Sequence, residues 1–319
     1  MIKNLIAVTI GDIDGIGIHL LVKEWVKGNL KNFILITNFK ILYNSKIIDK
    51  NQIKLINSKN EFKNFNNDKI NILNINTKNK HTNSIDSLKT AYDYTKNGMF
   101  IGILTLPLNK NKINKFANKS FIDQTTYFSK LEKNNITNMV FHYKNKFFIP
   151  LTIHIELKNV HNYFKNKKLI LNKILSLNKT IKKDFGIKKP RIIMSGINPH
   201  AGENGLISND DNKYIKPIIN LLKKNNININ GPYSGDGVIN KKNLKSYDVF
   251  IFTYHDQALI PFKIISNYEG VNFTSNLKII RLSPSHGTAV DMIGRKNANS
   301  KGIINCFNLI RKINKNRKK

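Results

Sequence analysis

Three histidines stand where a divalent metal or a substrate could be bound. Each of them follows a short run of β-branched or aromatic residues, which is typical of a buried strand that opens into a loop. The three histidines and their preceding runs are His154 after Leu151 to Ile153, His200 after Ile192 to Ser195, and His255 after Val249 to Thr253. Ligands of open α/β sheets collect beyond the carboxyl ends of the strands. The pattern therefore predicts that the three imidazoles converge on one metal or substrate.

For any single histidine, a hydrogen bond within its own loop is the simpler interpretation. The repetition of the pattern, together with neighbours such as Asp256 and Gly202, favours the metal site. Asp236 lies in a glycine-rich loop and could act as a polar or proton-handling group near such a site. A turn-stabilising role for Asp236 explains the same position equally well.

The elements that must position these side chains alternate between strand and helix. A buried strand at Leu5 to Ile10 leads through the glycine loop 11–17 into a helix that begins near Gly17. Further strands are predicted at 33–37, 101–106, 139–142, 148–153, 191–195 and 249–253, and helices at 84–96, 163–185, 211–224 and 300–313. This alternation predicts an α/β fold with mostly parallel, doubly wound sheets. We expect two α/β/α domains, comprising residues 1–115 with 285–319, and residues 116–284.

Composition narrows the function classes. Of the 319 residues 53 are Lys or Arg and 20 are Asp or Glu, giving a formal net charge of +33. The lysines are dispersed along the chain, whereas nucleic-acid sites cluster them. We therefore expect no nucleic-acid partner, although the charge should steer anionic small molecules. The single Cys306, the short apolar run near the N-terminus and the lack of a membrane-length segment predict a cytoplasmic protein with no membrane partner.

Several longer motifs resemble those of the 4-hydroxythreonine-4-phosphate dehydrogenase family. They occur in order at similar spacing and comprise Gly196 to Gly205, Tyr254 to Leu259, Gly270 to Asn272, Arg281, and His286 to Ala289. The resemblance implies a fold similar to isocitrate and isopropylmalate dehydrogenases, with the active site in the cleft between two domains. It also implies a homodimer whose subunits share each site. The implied reaction is NAD(P)-dependent oxidation of 4-phosphooxy-L-threonine, followed by decarboxylation to 3-amino-2-oxopropyl phosphate, in vitamin B6 synthesis.

The resemblance assigns roles to individual residues. His154, His200 and His255 match the metal ligands, and the bound ion is expected to be Zn, Mg or Co. Gln124, Thr125, Lys263, Asn272 and Arg281 match positions that contact the small phosphorylated substrate. The loop His286, Gly287, Thr288 and Ala289 matches the binding loop for NAD or NADP. Asp236 and Asp256 are expected to assist catalysis or to support the ligands.

Three residues depart from the family pattern. Gln124 stands in Asp123-Gln124-Thr125 where Gly-His-Thr is usual, Asn109 replaces a histidine after Pro107, and Ser285 replaces an aspartate before His286. Gln can donate a hydrogen bond but cannot become cationic or transfer a proton. Either these changes are drift around a retained activity, or the substrate is a different phosphorylated or carboxylated hydroxy acid. A third alternative is a catalytically decayed homologue.

Overall fold

The computed structural model describes residues 4–117, 120–295 and 298–319. Strands and helices alternate along most of the chain, as the sequence predicts. The first part contains β1 Ile6–Thr9, α1 Ile16–Val26, β2 Phe33–Thr37, α2 Phe39–Asn44, β3 Ile53–Ile56, β4 Ile70–Asn74, α3 Lys80–Lys96, β5 Ile103–Thr105, α4 Lys110–Ala117 and α5 Gln124–Leu131.

The second part of the chain continues the alternation after a hairpin. It contains β6 Met139–Tyr143, β7 Lys146–Pro150, α6 Val160–Phe164, α7 Lys167–Phe185, β8 Ile192–Ser195, α8 Lys216–Lys224, β9 Ile229–Tyr233, α9 Lys241–Ser246, β10 Val249–Phe252, α10 His255–Ser266 and β11 Val271–Thr274. The last elements are β12 Arg281–Pro284 and α11 Lys301–Arg317. The mixed α/β class predicted from the sequence is confirmed.

The chain folds as two compact units. Unit 1 comprises residues 1–132 and 277–319, and unit 2 comprises residues 133–276. In unit 1 the strand order is β3-β4-β2-β1-β5-β12, and all these pairs are parallel. Its strands are almost continuously apolar because helices cover a parallel sheet on both faces. The carboxyl ends of β1, β5 and β12 therefore open at the same edge.

Unit 2 has the strand order β11-β6-β7-β10-β8-β9. Strand β6 runs antiparallel to both β7 and β11, whereas β7, β10, β8 and β9 are parallel to one another. The antiparallel pair arises because β6 and β7 are joined by a tight turn at Lys144, which has a left-handed backbone with φ of 53°. Strand β10 lies between β7 and β8, so the residues that follow these three strands emerge side by side.

The structural boundary between the units differs from the predicted division at residues 115/116 and 284/285. Helix α5 belongs to unit 1 because Phe128 packs into the core formed with Tyr92 and Leu277. Strand β12 also belongs to unit 1, since it pairs with β5 along Arg281 and Leu282. As a consequence, Gln124, Thr125 and Arg281 lie in unit 1, whereas the sequence-based division placed them with the histidines.

Individual elements deviate from the predicted ranges for local reasons. The helix expected at 163–185 is two helices, α6 and α7, and the second begins after Asn166, whose side chain accepts a hydrogen bond from the backbone N–H of Leu169 at 3.0 Å. The helix expected at 211–224 opens with a π-helical turn at Asp211–Ile215. Across the part of the chain that the structure describes, no helix is both long and apolar enough to cross a bilayer.

Candidate functional site

Two of the three histidines lie beside each other in unit 2. His154 follows β7 and His255 begins α10 directly after β10, which pairs in parallel with β7. Their ring centroids are 5.9 Å apart. Together with Thr152, Leu157 and other side chains, they line an open cavity of about 260 Å³. The fold thus brings two of the three predicted histidines together at neighbouring strand ends.

His255 is oriented by its neighbour. Its Nδ1 atom lies 2.7 Å from Oδ1 of Asp256. A carboxylate oxygen can only accept, so Nδ1 is the donor, and the tautomer with this arrangement has its lone pair on Nε2. A carboxylate behind an imidazole is the usual arrangement for a metal-binding histidine. The side chain of His255 is 37% exposed, so the ring is accessible to a ligand.

His200 lies in a loop with an unusual backbone. Residues 200–204 all have positive φ, with φ of 51° at His200. The start of the loop is fixed by the buried Asp211, whose carboxylate accepts hydrogen bonds from the backbone N–H of Ile197 at 2.7 Å and of Asn198 at 3.2 Å. At Gly202 an added Cβ would lie 2.2 Å from the carbonyl oxygen of Ser208, so only glycine fits there.

The donor set fits a divalent cation only in part. Among residues 4–117, 120–295 and 298–319, no group of three His, Cys, Asp or Glu side chains is arranged to hold a metal. The His154–His255 pair is compatible with one ion, because two imidazoles at metal–nitrogen distances of about 2.1 Å place their ring centroids roughly 5–6.5 Å apart. His154 and His255 therefore fit two positions of a metal site, and a third ligand must be brought to them.

In unit 1, Arg281 forms the centre of a buried polar cluster. Its side chain is 1% exposed, and its Nε and Nη2 donate to Oγ1 of Thr105 at 3.0 and 2.8 Å. Nη2 also donates to Oε1 of Gln124. The guanidinium lies 5.9 Å above the ring of Phe128. Burial lowers the pKa of Arg281 to about 10, so the side chain remains cationic at neutral pH.

Gln124 is held at both ends of its amide. Oε1 accepts from Thr105 Oγ1 at 2.5 Å as well as from Arg281, and Nε2 donates to the carbonyl oxygen of Leu106 at 3.1 Å. Thr125 beside it is 3% exposed. Helix α5 places both residues, since Asp123 caps its start by accepting from the backbone N–H of Thr126 at 2.9 Å. Gln124 therefore fills this position as a fixed hydrogen-bonding group.

The remaining predicted substrate and support residues lie in unit 2. The side-chain Oδ1 of Asn272 in β11 is buried and has no hydrogen-bond partner among the residues described. Lys263 is exposed on α10, about 12 Å along the helix axis from His255, given a rise of 1.5 Å per residue. Asp236 accepts hydrogen bonds from Ser234 and from the backbone N–H of Gly237, and the Ser234 bond holds the pKa of its carboxyl below the usual value.

The predicted cofactor loop packs against the glycine loop of unit 1. The carbonyl oxygen of Thr288 accepts from the backbone N–H of Ile16 at 2.8 Å, at the start of α1. Gly15 lies close beside Thr288, where an added Cβ would be 3.2 Å from that carbonyl oxygen. The two segments were singled out separately in the sequence, and the fold brings them together. Ala289 has a left-handed backbone with φ of 36°, while Gly287 is exposed.

His286 presents a buried acceptor in this loop. Its Nδ1 lies 3.0 Å from the carbonyl oxygen of Gly287 and must be the donor there. Burial lowers the pKa of His286, which favours the neutral ring with a bare Nε2. Both Nε2 and the neighbouring Oγ of Ser285 are buried and have no hydrogen-bond partner in the described ranges. The residues at the predicted cofactor position are thus equipped to bind a polar ligand.

A family model described as Pyridoxal phosphate biosynthetic protein PdxA matches residues 29–310. The chain therefore belongs to the PdxA family. A 4-hydroxythreonine-4-phosphate dehydrogenase from Bacteroides thetaiotaomicron is 34% identical over 213 residues, 66% of this chain and 58% of that relative. One from Paracoccus denitrificans is 33% identical over 224 residues, 69% of each protein.

Solved structures extend the similarity over the full length of the fold. The crystal structure of 4-hydroxythreonine-4-phosphate dehydrogenase from Klebsiella pneumoniae matches with a TM-score of 0.82 and 25% identity, covering 98% of both chains. A putative enzyme of the same name from Salmonella typhimurium matches with a TM-score of 0.82 and 26% identity, covering 98% of this chain and 99% of that one. The family resemblance read from the sequence motifs is confirmed.

Sequence reasoning missed several residues that build these sites in this PdxA family member. Thr105, the last residue of β5, forms hydrogen bonds with Arg281 and Gln124. Asp211 accepts from the loop that carries His200. Gln257 donates to Gly196 at the start of that loop and accepts from Ser195 in the strand before it. A polar residue at the end of an otherwise apolar strand was the available signal for Thr105. Asp211 resembles an ordinary helix-start residue in the sequence. Gln257 lies in the Tyr254 to Leu259 motif, but only the tertiary structure reveals the partners of these two residues.

Proposed function

We propose that this protein is an NAD(P)-dependent and divalent-metal-dependent 4-hydroxythreonine-4-phosphate dehydrogenase. It would oxidise and decarboxylate 4-phosphooxy-L-threonine to 3-amino-2-oxopropyl phosphate in the synthesis of pyridoxal 5'-phosphate. Membership of the PdxA family is the observation that carries the proposal. The buried Arg281 and the paired His154 and His255 supply the chemistry that such a reaction requires.

His154, His200 and His255 would hold the metal, assisted by Asp256. When bound, a divalent cation would lower the pKa of the substrate hydroxyl, and the nicotinamide would accept the hydride. Asp256 would accept a hydrogen bond from Nδ1 of His255, which leaves Nε2 as the nitrogen that can bind the metal. Asp236 would support this edge of unit 2 through its turn, in which it is bonded to Ser234 and Gly237.

Arg281 would bind the phosphate or carboxylate of the substrate. A guanidinium offers five N–H donors. Thr105 and Gln124 accept hydrogen bonds from Nε and Nη2, which holds the group in one orientation. Thr125 and Lys263 would add polar contacts to the same substrate. Asn272 would accept a hydrogen bond at Oδ1 from the substrate amine or hydroxyl, because a buried oxygen without a partner is costly.

The loop from His286 to Ala289 would contact the nucleotide. His286 Nε2 is an acceptor and thus fits a ligand that donates, such as a ribose hydroxyl or the exocyclic amine of adenine. Ser285 Oγ can donate or accept beside it. The exposed Gly287 lets a ligand approach the backbone, and the contact of Thr288 with Ile16 anchors the loop to α1.

The protein would act as a homodimer in the cytoplasm. The described part of one chain does not gather three metal ligands, so a second subunit is the natural source of the missing one. Unit 2 also exposes apolar side chains that a partner would cover, namely Leu206 at 86%, Ile264 at 76%, Leu157 at 67% and Ile260 at 61%. The reducing cytoplasm suits a chain whose lone Cys306 is buried and unpaired.

A second candidate is a metal-dependent dehydrogenase of another phosphorylated or carboxylated hydroxy acid. Gln124 favours it, because an amide committed to Arg281 and Thr105 cannot transfer a proton to or from the substrate. A decayed homologue is the third outcome. It would keep the metal and nucleotide sites without turnover.

The deciding experiment measures NAD(P)H formation by the purified protein with 4-phosphooxy-L-threonine. The assay includes Zn, Mg or Co in turn, and a chelator as the control. Turnover that requires a metal and is abolished by the chelator supports the proposed function. Absence of turnover in a protein that still binds cobalt and NAD(P) would contradict it and favour a different hydroxy acid, to be sought among phosphorylated and dicarboxylic substrates.

A further inference from the structure

A chain of hydrogen bonds links the ends of three neighbouring strands in unit 2. Oγ1 of Thr152, after β7, donates to the carbonyl oxygen of Thr253, after β10, at 2.8 Å. Gln257 in α10 then accepts at Oε1 from Thr253 Oγ1 at 2.9 Å and from Ser195 Oγ, at the end of β8, at 2.8 Å. Its Nε2 donates to the carbonyl oxygen of Gly196 at 3.1 Å. We call Thr152, Thr253, Gln257, Ser195 and Gly196 the strand-end latch.

Each strand in the latch leads to one of the proposed metal ligands. His154 follows β7, His255 follows β10, and His200 lies in the loop that leaves β8. The latch does not contact the imidazoles in any hydrogen bond described above. It acts on the backbone from which the three histidine loops depart, and so fixes the starting points of all three.

The latch is built of groups that must remain paired. Ser195 and Thr253 are completely buried and Thr152 is 2% exposed. A buried polar group without a partner costs about 1–3 kcal/mol, so the arrangement is held tightly. The side-chain amide of Gln257 also lies close to the loop that contains Asp236, since a Cβ on Gly235 would lie 2.6 Å from Nε2.

We propose that Gln257 is a positioning residue for the metal site, which sets the relative placement of the loops that carry His154, His200 and His255. This inference rests on the proposed metal-dependent function. An amide suits the position because it accepts from two hydroxyls and the backbone N–H of Thr253 with one atom and donates to Gly196 with the other. No other uncharged side chain of this size except histidine offers both roles.

The test measures cobalt(II) affinity and the cobalt absorption spectrum of the full-length protein, with thermal melting in parallel. In Gln257→Glu the shape is retained, but a carboxylate faces the Gly196 carbonyl oxygen and cannot donate. We expect cobalt to bind at least about tenfold more weakly, in the range seen when groups behind metal-binding histidines are removed, and with an altered spectrum. The milder Ser195→Ala, which removes one bond to Gln257, should weaken binding less but measurably.

A matched control lies at the opposite ends of the same strands. Arg191 and Asp248, just before β8 and β10, form a two-point ion pair with Nη2 to Oδ1 at 2.8 Å and Nε to Oδ2 at 3.0 Å. Asp248→Asn should lower the melting temperature while leaving cobalt affinity unchanged. A general loss of stability would weaken cobalt binding in both variants alike.

The outcomes are distinguishable. Weaker cobalt binding in Gln257→Glu, with normal binding in Asp248→Asn of similar melting temperature, supports the positioning role. Cobalt affinity within twofold of wild type in Gln257→Glu refutes it. If that variant does not fold, unchanged affinity in Ser195→Ala refutes it instead, and weakened affinity supports it. If wild type binds no divalent metal while His255→Ala is equally inert, the proposed function itself is wrong and the inference falls with it.

Discussion

The two units prepare their polar side chains in different ways. In unit 1, Arg281 is 1% exposed and bonded on one face to Thr105 and Gln124. In unit 2, the side chain of His255 is 37% exposed and bonded to the adjacent Asp256, and His154 lies beside it in an open cavity. A single chain therefore supplies hydrogen-bond acceptors to the buried guanidinium of Arg281, whereas the His154–His255 pair lines an open cavity.

This difference follows from what each group would bind. A guanidinium carries its charge permanently, so the fold can surround it with acceptors and an aromatic ring before any ligand arrives. A metal-binding imidazole must keep a lone pair exposed, and a third ligand has to come from another loop or subunit. We therefore expect substitutions in the histidine pair to act on function with little effect on stability. Substitutions around Arg281 should act on both.

The largest effect is expected for His255→Ala. Loss of a metal ligand should reduce turnover by several kcal/mol of transition-state stabilisation, about 1,000-fold or more. The melting temperature should change little, because the side chain is partly exposed and makes one described hydrogen bond, to Asp256. Steady-state kinetics measures turnover, cobalt titration measures metal affinity, and thermal melting measures stability.

His81→Ala is the control for this substitution. His81 is stacked on Phe116 in unit 1 at a centroid distance of 4.3 Å and has no proposed function. It should retain both turnover and cobalt binding. Unchanged turnover in His255→Ala would remove His255 from the metal site.

Arg281→Lys should have the next largest effect. Lysine cannot reproduce the fork that contacts Thr105 twice, and it leaves Oε1 of Gln124 without the bond from Nη2. Hydrogen bonds to charged groups contribute about 1.5–3 kcal/mol, so the substrate KM should rise roughly 10- to 100-fold. The KM for NAD(P) should stay nearly constant. Steady-state kinetics with each substrate varied in turn separates the two.

The comparison variant is Arg191→Lys, which alters a two-point ion pair with Asp248 just before β8 and β10 in unit 2. Neither residue has a proposed role in binding, so the kinetics of this variant should match wild type. An Arg281→Lys enzyme with an unaltered substrate KM would show that Arg281 is a structural cation only.

The sequence indicates the positions of the two histidines better than it indicates the Arg281 cluster, because short local patterns precede the histidines. His154 and His255 follow a few residues after the apolar strands β7 and β10, so the strand ends lie close to the site in the printed sequence. Arg281 also lies in a strand, but its partner Thr105 lies in β5, far away in the chain. Pairing between β12 and β5 is a long-range contact that no local pattern specifies.

The boundary between the units could not be predicted for the same reason. Helix α5 and strand β12 flank the ends of unit 2 in the chain, but α5 packs on unit 1 through Phe128 and β12 pairs with β5. Hydrophobic periodicity indicates that such a helix is amphipathic, but not which sheet it covers. The antiparallel β6 is a further case. Its apolar run is typical of either strand direction, and only the tight turn at Lys144 decides it.

Substitution of Gln124, which belongs to the Arg281 cluster, is expected to have an effect of intermediate size. Gln124→Leu removes the acceptor for Arg281 and Thr105 while keeping a similar volume. Losing the hydrogen bonds from Arg281 and Thr105 to Oε1 should lower the free energy of unfolding by about 1–3 kcal/mol and raise the substrate KM severalfold. Chemical denaturation and steady-state kinetics measure these changes.

Gln124→His is the informative companion variant. A neutral imidazole retains one acceptor for Arg281, so its stability should fall less than that of Gln124→Leu. If the family activity has merely drifted, restoring the histidine should increase turnover of 4-phosphooxy-L-threonine. Decreased turnover would instead favour a different hydroxy acid as the natural substrate.

The smallest effect is expected for Lys173 on α7, a partly buried cation that has no proposed function. Its Nζ donates to the carbonyl oxygen of Thr137 at 2.8 Å, and burial lowers its pKa from 10.5 to about 8. Between pH 8 and 10.5 the unfolded chain binds more protons at this group than the folded one, so stability rises with pH. At pH 7 both states are protonated, and the cost of burying the charge is fully present.

Lys173→Met should therefore stabilise the protein at pH 7 by roughly 1 kcal/mol, after the loss of the bond to Thr137 is subtracted. The advantage over wild type should diminish as the pH rises from 8 towards 10.5. Denaturant unfolding at several pH values measures the difference, and the exposed Lys179→Met on the same helix supplies a pH-independent baseline. A constant difference at all pH values would show that Lys173 is solvated. Arg281 would then be the better example of a cation that this fold holds charged in its interior, because its pKa of about 10 keeps the proton at every pH where the enzyme would work.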